Sequence, residues 1–328
     1  MKAKKGRMAT SMKTERILIA SGGTGGHIFP AIVFGKRLQK HGRVVKWLCG
    51  SRELENEIYN SSGIEPLKLS LAGSPLGAKS LSKNLLRVWD LFRAFAETAR
   101  YIREFKPDVI FLFGGYISFA PLIVAKVKNI PVRLHEQNAV AGRVTKLAER
   151  LGVMILTGWR ECIGVKRFFY AGIPVREPER ISREKALEIL GLKIAGNAKI
   201  VGVAGGSLGS GNLREILKHT AEICENLEFV FLSSRERIDS GNEHYILPQW
   251  DMNAFYSICD VLVCRAGGST LAEALKWNLP TVSVPWNAAA DNHQNFNARE
   301  FVKVSRNARI FPETGEAEEL ARIISSLA

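Results

Sequence analysis

The chain has 328 residues, 46% hydrophobic and 24% charged, the balance of a globular protein about two domains long rather than of a disordered or fibrous chain. Its net charge of +14 lies in the first half: residues 1–164 hold 27 Lys and Arg against 12 Asp and Glu, whereas 165–328 hold 19 against 20. The first half is therefore expected to meet something anionic. Nucleic acid, an anionic membrane surface and a pyrophosphate-bearing substrate are all open at this point.

Residues 1–13 start with a positive charge but have no apolar stretch behind it, so they read as a flexible extension, neither a cleavable signal nor an anchor. The fold begins at Arg16–Ala20, a short apolar strand running into Ser21-Gly22-Gly23-Thr24-Gly25-Gly26. Pro30–Lys40 has helical spacing, with Ile32, Val33 and Leu38 on one side and Lys36, Arg37 and Lys40 on the other. Val44–Cys49 is the next strand, Glu53–Ser61 a helix, Pro66–Leu71 a short strand and Leu85–Phe105 a long helix. The uncharged run Val109–Ala125 is punctuated by Gly114, Gly115 and Pro121; it reads as a buried strand, a glycine turn and a buried helix start, not as a membrane span. Pro131–His135 follows as a strand.

The pattern then restarts. Lys199–Ala204 runs into Gly205-Gly206-Ser207-Leu208-Gly209 and a helix over Asn212–Cys224. Phe229–Ser233 is a strand, Met252–Ser257 a helix, and Asp260–Cys264 a strand leading into Arg265-Ala266-Gly267-Gly268. A helix over Ser269–Trp277 and a strand over Thr281–Val284 complete the half. Strand–helix alternation of this kind predicts parallel sheets covered by helices on both faces, hence an α/β chain of two doubly wound domains. The expected division is 14–160 for the first domain, 161–176 for the linker, 177–315 for the second domain and 316–328 for a C-terminal helix able to cross back to the first. The five cysteines, odd in number and without a CxxC, read as buried free thiols.

Each half thus has two strands that end in glycine loops. Such loops let backbone N–H groups and helix N-termini approach a phosphate, and open sheets bind ligands along that edge. Neither Gly-Gly-Thr-Gly-Gly nor Gly-Gly-Ser-Leu-Gly fits the dinucleotide fingerprint, and the strand after the first loop ends in Cys49-Gly50 without an acid for a ribose. No P-loop string is present, and no Asp-x-Asp occurs to hold a diphosphate through a metal. Charge on a leaving diphosphate would then fall to backbone N–H groups, helix dipoles and basic side chains.

The ordered set Gly22-Gly23-Thr24-Gly25-Gly26-His27 with Pro30, Gly114-Gly115-Tyr116, His135-Glu136-Gln137-Asn138, Gly205-Gly206-Ser207, Arg265-Ala266-Gly267 with Glu273, and Asp291-Asn292-His293-Gln294 closely resembles the MurG family. These bacterial enzymes transfer N-acetylglucosamine from UDP-N-acetylglucosamine to undecaprenyl-pyrophosphoryl-N-acetylmuramoyl-pentapeptide (lipid I). The resemblance runs from about Ile17 to Ala298 and implies a GT-B fold, two Rossmann-like domains facing a central cleft, with the acceptor on the first and the donor mainly on the second. It implies inverting transfer to the acceptor 4-hydroxyl, giving lipid II for peptidoglycan synthesis, with no required cofactor. A divalent ion would lack an Asp-x-Asp site.

Inverting transfer needs a base for the acceptor hydroxyl. His27 suits that role because an imidazole can take a proton near neutral pH, or else caps the helix or only binds substrate. Glu136 is the competing base, or else orients a partner. By resemblance, Thr24, Gly25, Gly26 and Asn138 contact the sugar side of the donor, Arg176 lies near the diphosphate, and Ser207 with the N–H groups at Gly206 and Gly268 forms its cradle. Glu273 binds the ribose, Gln294 the sugar, and the backbone near Gln249 the uracil. Gly22, Gly23, Gly114, Gly115 and Tyr116 serve the acceptor and its pyrophosphate. Leu208 and Ile173 depart from the glutamine and asparagine usual in the family, and the chain stops at Ala328 where the family continues with a further helix.

The lipid acceptor gives the basic half a role. Leu85, Trp89 and Phe92, interleaved with Lys79, Lys83 and Arg87, suit a helix that packs one side on its sheet and dips the other into anionic lipid. The expected partners are UDP-N-acetylglucosamine, lipid I and an anionic membrane surface, with the protein peripheral on the cytoplasmic face of the bacterial membrane and no nucleic acid bound. The competing assignments are another GT-B activity, either a different lipid-acceptor transferase or a UDP-N-acetylglucosamine 2-epimerase, and a basic nucleic-acid-binding protein. The last lacks every familiar nucleic-acid signature and gives the glycine loops no task.

Overall fold

A computed structural model describes residues 14–73, 81–205, 212–232 and 238–328, with the backbone alone for 81–87, 212 and 239. The first domain runs β1 (Arg16–Ala20), α1 (Gly25–Lys40), β2 (Val44–Cys49), α2 (Glu53–Ser61), β3 (Leu67–Lys68), α3 (Leu81–Phe105), β4 (Val109–Leu112), α4 (Phe119–Val127), β5 (Val132–Glu136), α5 (Arg143–Arg150), β6 (Met154–Thr157) and β7 (Phe168–Tyr170). The second runs α6 (Arg183–Leu190), β8 (Lys199–Ala204), α7 (Asn212–Ile223), β9 (Leu227–Leu232), β10 (Ile238–Ser240), β11 (Glu243–Ile246), α8 (Asn253–Ile258), β12 (Val261–Cys264), α9 (Gly268–Trp277), β13 (Thr281–Ser283), α10 (His293–Val304), β14 (Ala308–Ile310) and α11 (Ala317–Leu327).

Among the described residues the first sheet has the order β3-β2-β1-β4-β5-β6-β7, all parallel, and the second β10-β11-β9-β8-β12-β13-β14, parallel except for the β10–β11 edge pair. The central strands read as unbroken apolar runs because both of their faces are covered. In β1, Ile17 and Ile19 pack with Ile28 and Ile32 of α1, whereas Leu18 and Ala20 face the opposite core with Ile117 and Leu122. In the second sheet Val201 and Val203 share a core with Leu213 and Leu217 of α7, while Ile200 and Ala204 face Phe255 and Leu271.

The chain reverses its direction of winding between β1 and β4 in one sheet and between β8 and β12 in the other. A crevice opens at such a switch point because successive connections leave to opposite faces of the sheet. Each of the four glycine loops follows one of these four strands, so topology alone gathers them at the binding edge.

Two boundaries differ from the expected division. Phe168–Tyr170, placed within the linker 161–176 from sequence, instead pairs with β6 as a seventh strand, and Phe168 packs on the first domain's core. The segment joining the sheets therefore starts after Tyr170; the three-residue strand was too short to register as a pattern. The C-terminal helix does not cross back. Leu320, Ala321 and Ile324 of α11 are buried among Leu213, Leu217 and Phe311 of the second domain. Burying Leu320 and Ile324 contributes roughly 1.5–3 kcal/mol each, enough to hold the helix on its own domain.

Candidate functional site

The first glycine loop is built around a carboxylate that sequence reasoning passed over. Glu55 of α2 is fully buried and accepts the N–H of Gly23 at 2.6 Å, the N–H of Gly50 at 2.6 Å and the Tyr116 hydroxyl at 2.5 Å. The Arg52 guanidinium lies over the Tyr116 ring, 4.9 Å from its centroid, and donates to the Gly23 carbonyl. Gly22, Gly23 and Tyr116, expected at the acceptor, thus form one unit with β2 and α2. Tyr116 is firmly protonated, because burial and then the Glu55 carboxylate raise its pKa. The only sequence signal for Glu55 was an acid on the buried face of an amphipathic helix.

His27 occupies the first turn of α1, and its ring lies across Gly114 and Gly115. Both glycines have left-handed backbone, φ +76 and +71, and a Cβ on Gly114 would stand 3.3 Å from His27 Cε1. The pair therefore provides the turn after β4 and the floor for the imidazole. His27 Nδ1 and Gln137 Oε1 are 2.8 Å apart.

Of the two roles open to Glu136, the structure favours the orienting one. Glu136 is 2% exposed and its oxygens already accept from the Asn138 N–H (3.1 Å), Asn138 Nδ2 (3.2 Å), the Gly142 N–H (3.0 Å) and the Thr145 hydroxyl (2.6 Å). A carboxylate so enclosed has no lone pair to offer an acceptor hydroxyl. It shapes the turn after β5 instead of serving as a base, a distinction that depends on side-chain direction and was invisible in the sequence.

The domains meet at the N-termini of α1 and α9. Pro30 has no N–H for the Gly26 carbonyl four residues earlier, and the Ser269 hydroxyl of α9 donates to that carbonyl at 2.8 Å. Thr24 and Gly25 open α1 beside it, so the N-termini of two helices lie together, a favourable setting for a diphosphate. Gly268, expected in the diphosphate cradle, lies so close to the first domain that a Cβ there would run into the Gln137 carbonyl oxygen. Ile173 fills the adjoining space, within van der Waals reach of a Cβ at Gly268.

Asn297 of α10, fully buried, accepts the Ala139 N–H at 2.7 Å and donates to Asn138 Oδ1 at 3.1 Å and to the Ala266 carbonyl at 3.0 Å. It ties the turn after β5 to the loop after β12 and holds Asn138 between them. Asn297→Ala leaves the buried Ala139 N–H without its partner. The expected cost is about 1–3 kcal/mol in denaturant unfolding; an unchanged midpoint would refute the clamp.

On the second domain, Glu273 Oε2 accepts the Tyr256 hydroxyl at 2.8 Å. Burial raises the Glu273 pKa, while the Tyr256 hydrogen bond and the charge of Arg176 oppose the shift. Arg176 donates to the Trp250 carbonyl at 2.6 Å, and its guanidinium lies 5.3 Å from the centroid of Phe29, so it spans α1 and the second domain. Gln249 is in the same segment, its amide donating to the Leu247 carbonyl at 2.9 Å. Gln294 opens α10 and accepts the Trp286 N–H at 2.9 Å. Ser207, with Gly206 and Leu208, falls outside the described residues. Among the described residues no three His, Cys, Asp or Glu side chains gather as a metal site.

Along α3, Ala94, Thr98, Ile102 and Phe105 are buried, while Val88, Trp89 (64% exposed), Phe92 (63%) and Arg93 face outward. The side chains of Lys83, Leu85 and Arg87, and the whole of Lys79, lie outside the described residues. No helix among the described residues is long and apolar enough to cross a membrane.

Comparison with known proteins agrees with this architecture. Residues 17–153 match the glycosyltransferase family 28 N-terminal domain and residues 200–328 its C-terminal domain. The chain is 33% identical over 327 residues to the Pseudomonas fluorescens UDP-N-acetylglucosamine–N-acetylmuramyl-(pentapeptide) pyrophosphoryl-undecaprenol N-acetylglucosamine transferase, covering 95% of this chain and 89% of that protein. It is 31% identical over 346 residues to the Desulfitobacterium hafniense enzyme of the same name, covering 95% and 90%. The crystal structure of Acinetobacter baumannii MurG superimposes with a TM-score of 0.70 at 25% identity, covering 96% of this chain and 90% of that one. The Neisseria meningitidis UDP-N-acetylglucosamine 2-epimerase shares the fold, with a TM-score of 0.59 at 15% identity over 95% and 91% of the two chains. The chain is a GT-B glycosyltransferase with both family 28 domains, and it belongs to the MurG family.

Proposed function

We propose that the protein transfers N-acetylglucosamine from UDP-N-acetylglucosamine to lipid I and so makes lipid II. Family membership supplies the reaction class; the observation that carries the chemistry is the placement of His27. Its ring rests on Gly114-Gly115 beside the two converging helix N-termini, with Nδ1 engaged by Gln137 and Nε2 left for a substrate.

In the proposed step, the acceptor 4-hydroxyl oxygen bonds to the anomeric carbon from the face opposite the diphosphate, and configuration inverts. The bond from that carbon to the diphosphate oxygen breaks, its electron pair leaving with UDP. The hydroxyl proton passes to His27 Nε2. Charge on the departing diphosphate is met by the N-terminal turns of α1 and α9 and by Arg176. Glu273, with one oxygen fixed by Tyr256, has its other oxygen for the ribose hydroxyls.

Release of UDP from UDP-N-acetylglucosamine should require a lipid I analogue, and one labelled sugar should appear on the acceptor per UDP released. UDP release that ignores the acceptor would point to an epimerase-like activity and overturn the assignment.

The outward face of α3 supports membrane attachment of the first domain. Trp89 and Phe92 present bulky apolar surface next to Arg93 and Arg100, a combination suited to an anionic bilayer. Trp89→Glu with Phe92→Glu is expected to weaken sedimentation with phosphatidylglycerol vesicles by about tenfold or more, since two buried anchors are replaced by repelled charges. Turnover of a water-soluble acceptor analogue should be unaffected. Equal binding of both proteins to the vesicles would remove this helix from the contact.

A further inference from the structure

His27 is one end of a chain of hydrogen bonds that reaches the segment joining the two domains. At the far end, His135 Nε2 is 2.7 Å from the carbonyl oxygen of Gly172. A carbonyl only accepts, so His135 carries its proton on Nε2 and its Nδ1 is a bare acceptor. Gln137 Nε2 donates to that Nδ1 at 3.1 Å and to the His135 carbonyl at 3.1 Å, which fixes which way the amide faces. Its Oε1 is therefore the atom turned to His27 Nδ1, 2.8 Å away, and an amide oxygen also only accepts. His27 must then donate from Nδ1, and in the neutral imidazole Nε2 carries no proton. Burial keeps His135 neutral by lowering its pKa, and its ring stacks on Phe113 at 5.4 Å, so this end of the chain is held in place.

We propose that Gln137 is a positioning residue that, through the relay from the Gly172 carbonyl and His135, holds His27 as its Nδ1–H tautomer with Nε2 ready to take the acceptor's proton. This rests on His27 being the base. The Nδ1–H form is the minor tautomer of a free imidazole in water, so an unassisted His27 would mostly present a proton where a lone pair is needed.

The relay is also tied to the arrangement of the domains. Gly172 belongs to the segment between the sheets, and the Gln137 carbonyl accepts Trp159 Nε1 at 3.0 Å while pressed against Gly268 of α9. The backbone of Gln137 thus packs against the second domain at Gly268 while its side chain faces His27 in the first. The residue that sets the tautomer is therefore seated where the two domains touch.

Nitrogen-15 NMR of histidine-labelled protein reads the tautomer directly, without substrate, and the six histidines can be assigned by single substitutions. In the native protein His27 should show a protonated Nδ1 and an unprotonated Nε2, and His135 the reverse. Gln137→Met keeps the side chain's length but removes the amide; it should shift His27 toward the Nε2–H form and lower kcat about tenfold, with the KM for UDP-N-acetylglucosamine changed less than about threefold. Gln137→Glu keeps an acceptor opposite His27 Nδ1 but sets its second oxygen against two acceptors, His135 Nδ1 and the His135 carbonyl; it should retain the His27 tautomer while losing folding stability. An Nε2–H tautomer of His27 in the native protein, or one unmoved by Gln137→Met, would overturn the relay even if the variant were unstable. Failure of the reaction assignment is seen separately, in the dependence of UDP release on the acceptor.

Discussion

His27→Ala should lower transfer at least about 100-fold, the scale of one positioned acid–base group, with donor affinity changed only modestly. The ring is half-buried on a glycine floor and, among the described residues, makes one side-chain hydrogen bond, to Gln137, so its removal leaves β1, α1 and both cores intact. Equilibrium binding of UDP-N-acetylglucosamine by calorimetry, beside kcat with a soluble acceptor, separates a lost base from a lost binding contact. Turnover within a few-fold of the native enzyme would remove His27 as the base. Glu136, the other candidate in the sequence, gives the contrasting result. Glu136→Gln disturbs a turn held by four donors, so the expected loss is in folding stability, with kcat of the folded fraction little changed.

Glu273→Ala is expected to raise the donor Kd at least about 100-fold, because two hydroxyl hydrogen bonds to a carboxylate are worth about 1.5–3 kcal/mol each. The raised pKa of Glu273 adds a pH signature. The ionised carboxylate is the form that accepts from vicinal hydroxyls, so donor affinity should weaken as pH falls through the raised value, well before an ordinary carboxylate would titrate. Glu273→Gln should remove that pH dependence. Its effect on stability has the opposite sign: a carboxyl whose pKa is raised by folding favours the folded state below its unfolded pKa and loses that contribution as pH rises through the folded one. At neutral pH Glu273→Gln should therefore bind donor poorly yet unfold at the same or a higher temperature. The same pH profile of donor binding in the native protein and in Glu273→Gln would show that Glu273 does not meet the ribose.

Much of the active region could be read from residue order because it consists of backbone. The glycine runs after β1, β4, β8 and β12 are plain in the residue order, and at Gly23, Gly114 and Gly115 the backbone is left-handed, which few other residues adopt. Side-chain tasks were harder. Glu136 and Gln137 are neighbours at the end of β5, and nothing in the string His135-Glu136-Gln137-Asn138 says that the acid turns inward to its own loop while the amide turns to His27. Glu55 lies 32 residues from the Gly23 N–H that it holds, and Asn297 lies 158 from the Ala139 N–H. Contacts at that separation have no periodicity by which to find them.

What the sequence alone determined is the two-domain α/β architecture, the family, the positions of the loops and the bias of positive charge toward the first domain. Each follows from local rules, apolar period, glycine placement and composition, that hold without knowing what packs against what. Only the tertiary structure decided that β7 extends the first sheet, that α11 stays on the second domain, that Pro30 frees a carbonyl for Ser269, and that Gln137 rather than Glu136 faces His27. These are matters of which way a side chain points and which donor meets which acceptor, and a hydrogen bond is specified by geometry that a one-dimensional string does not carry.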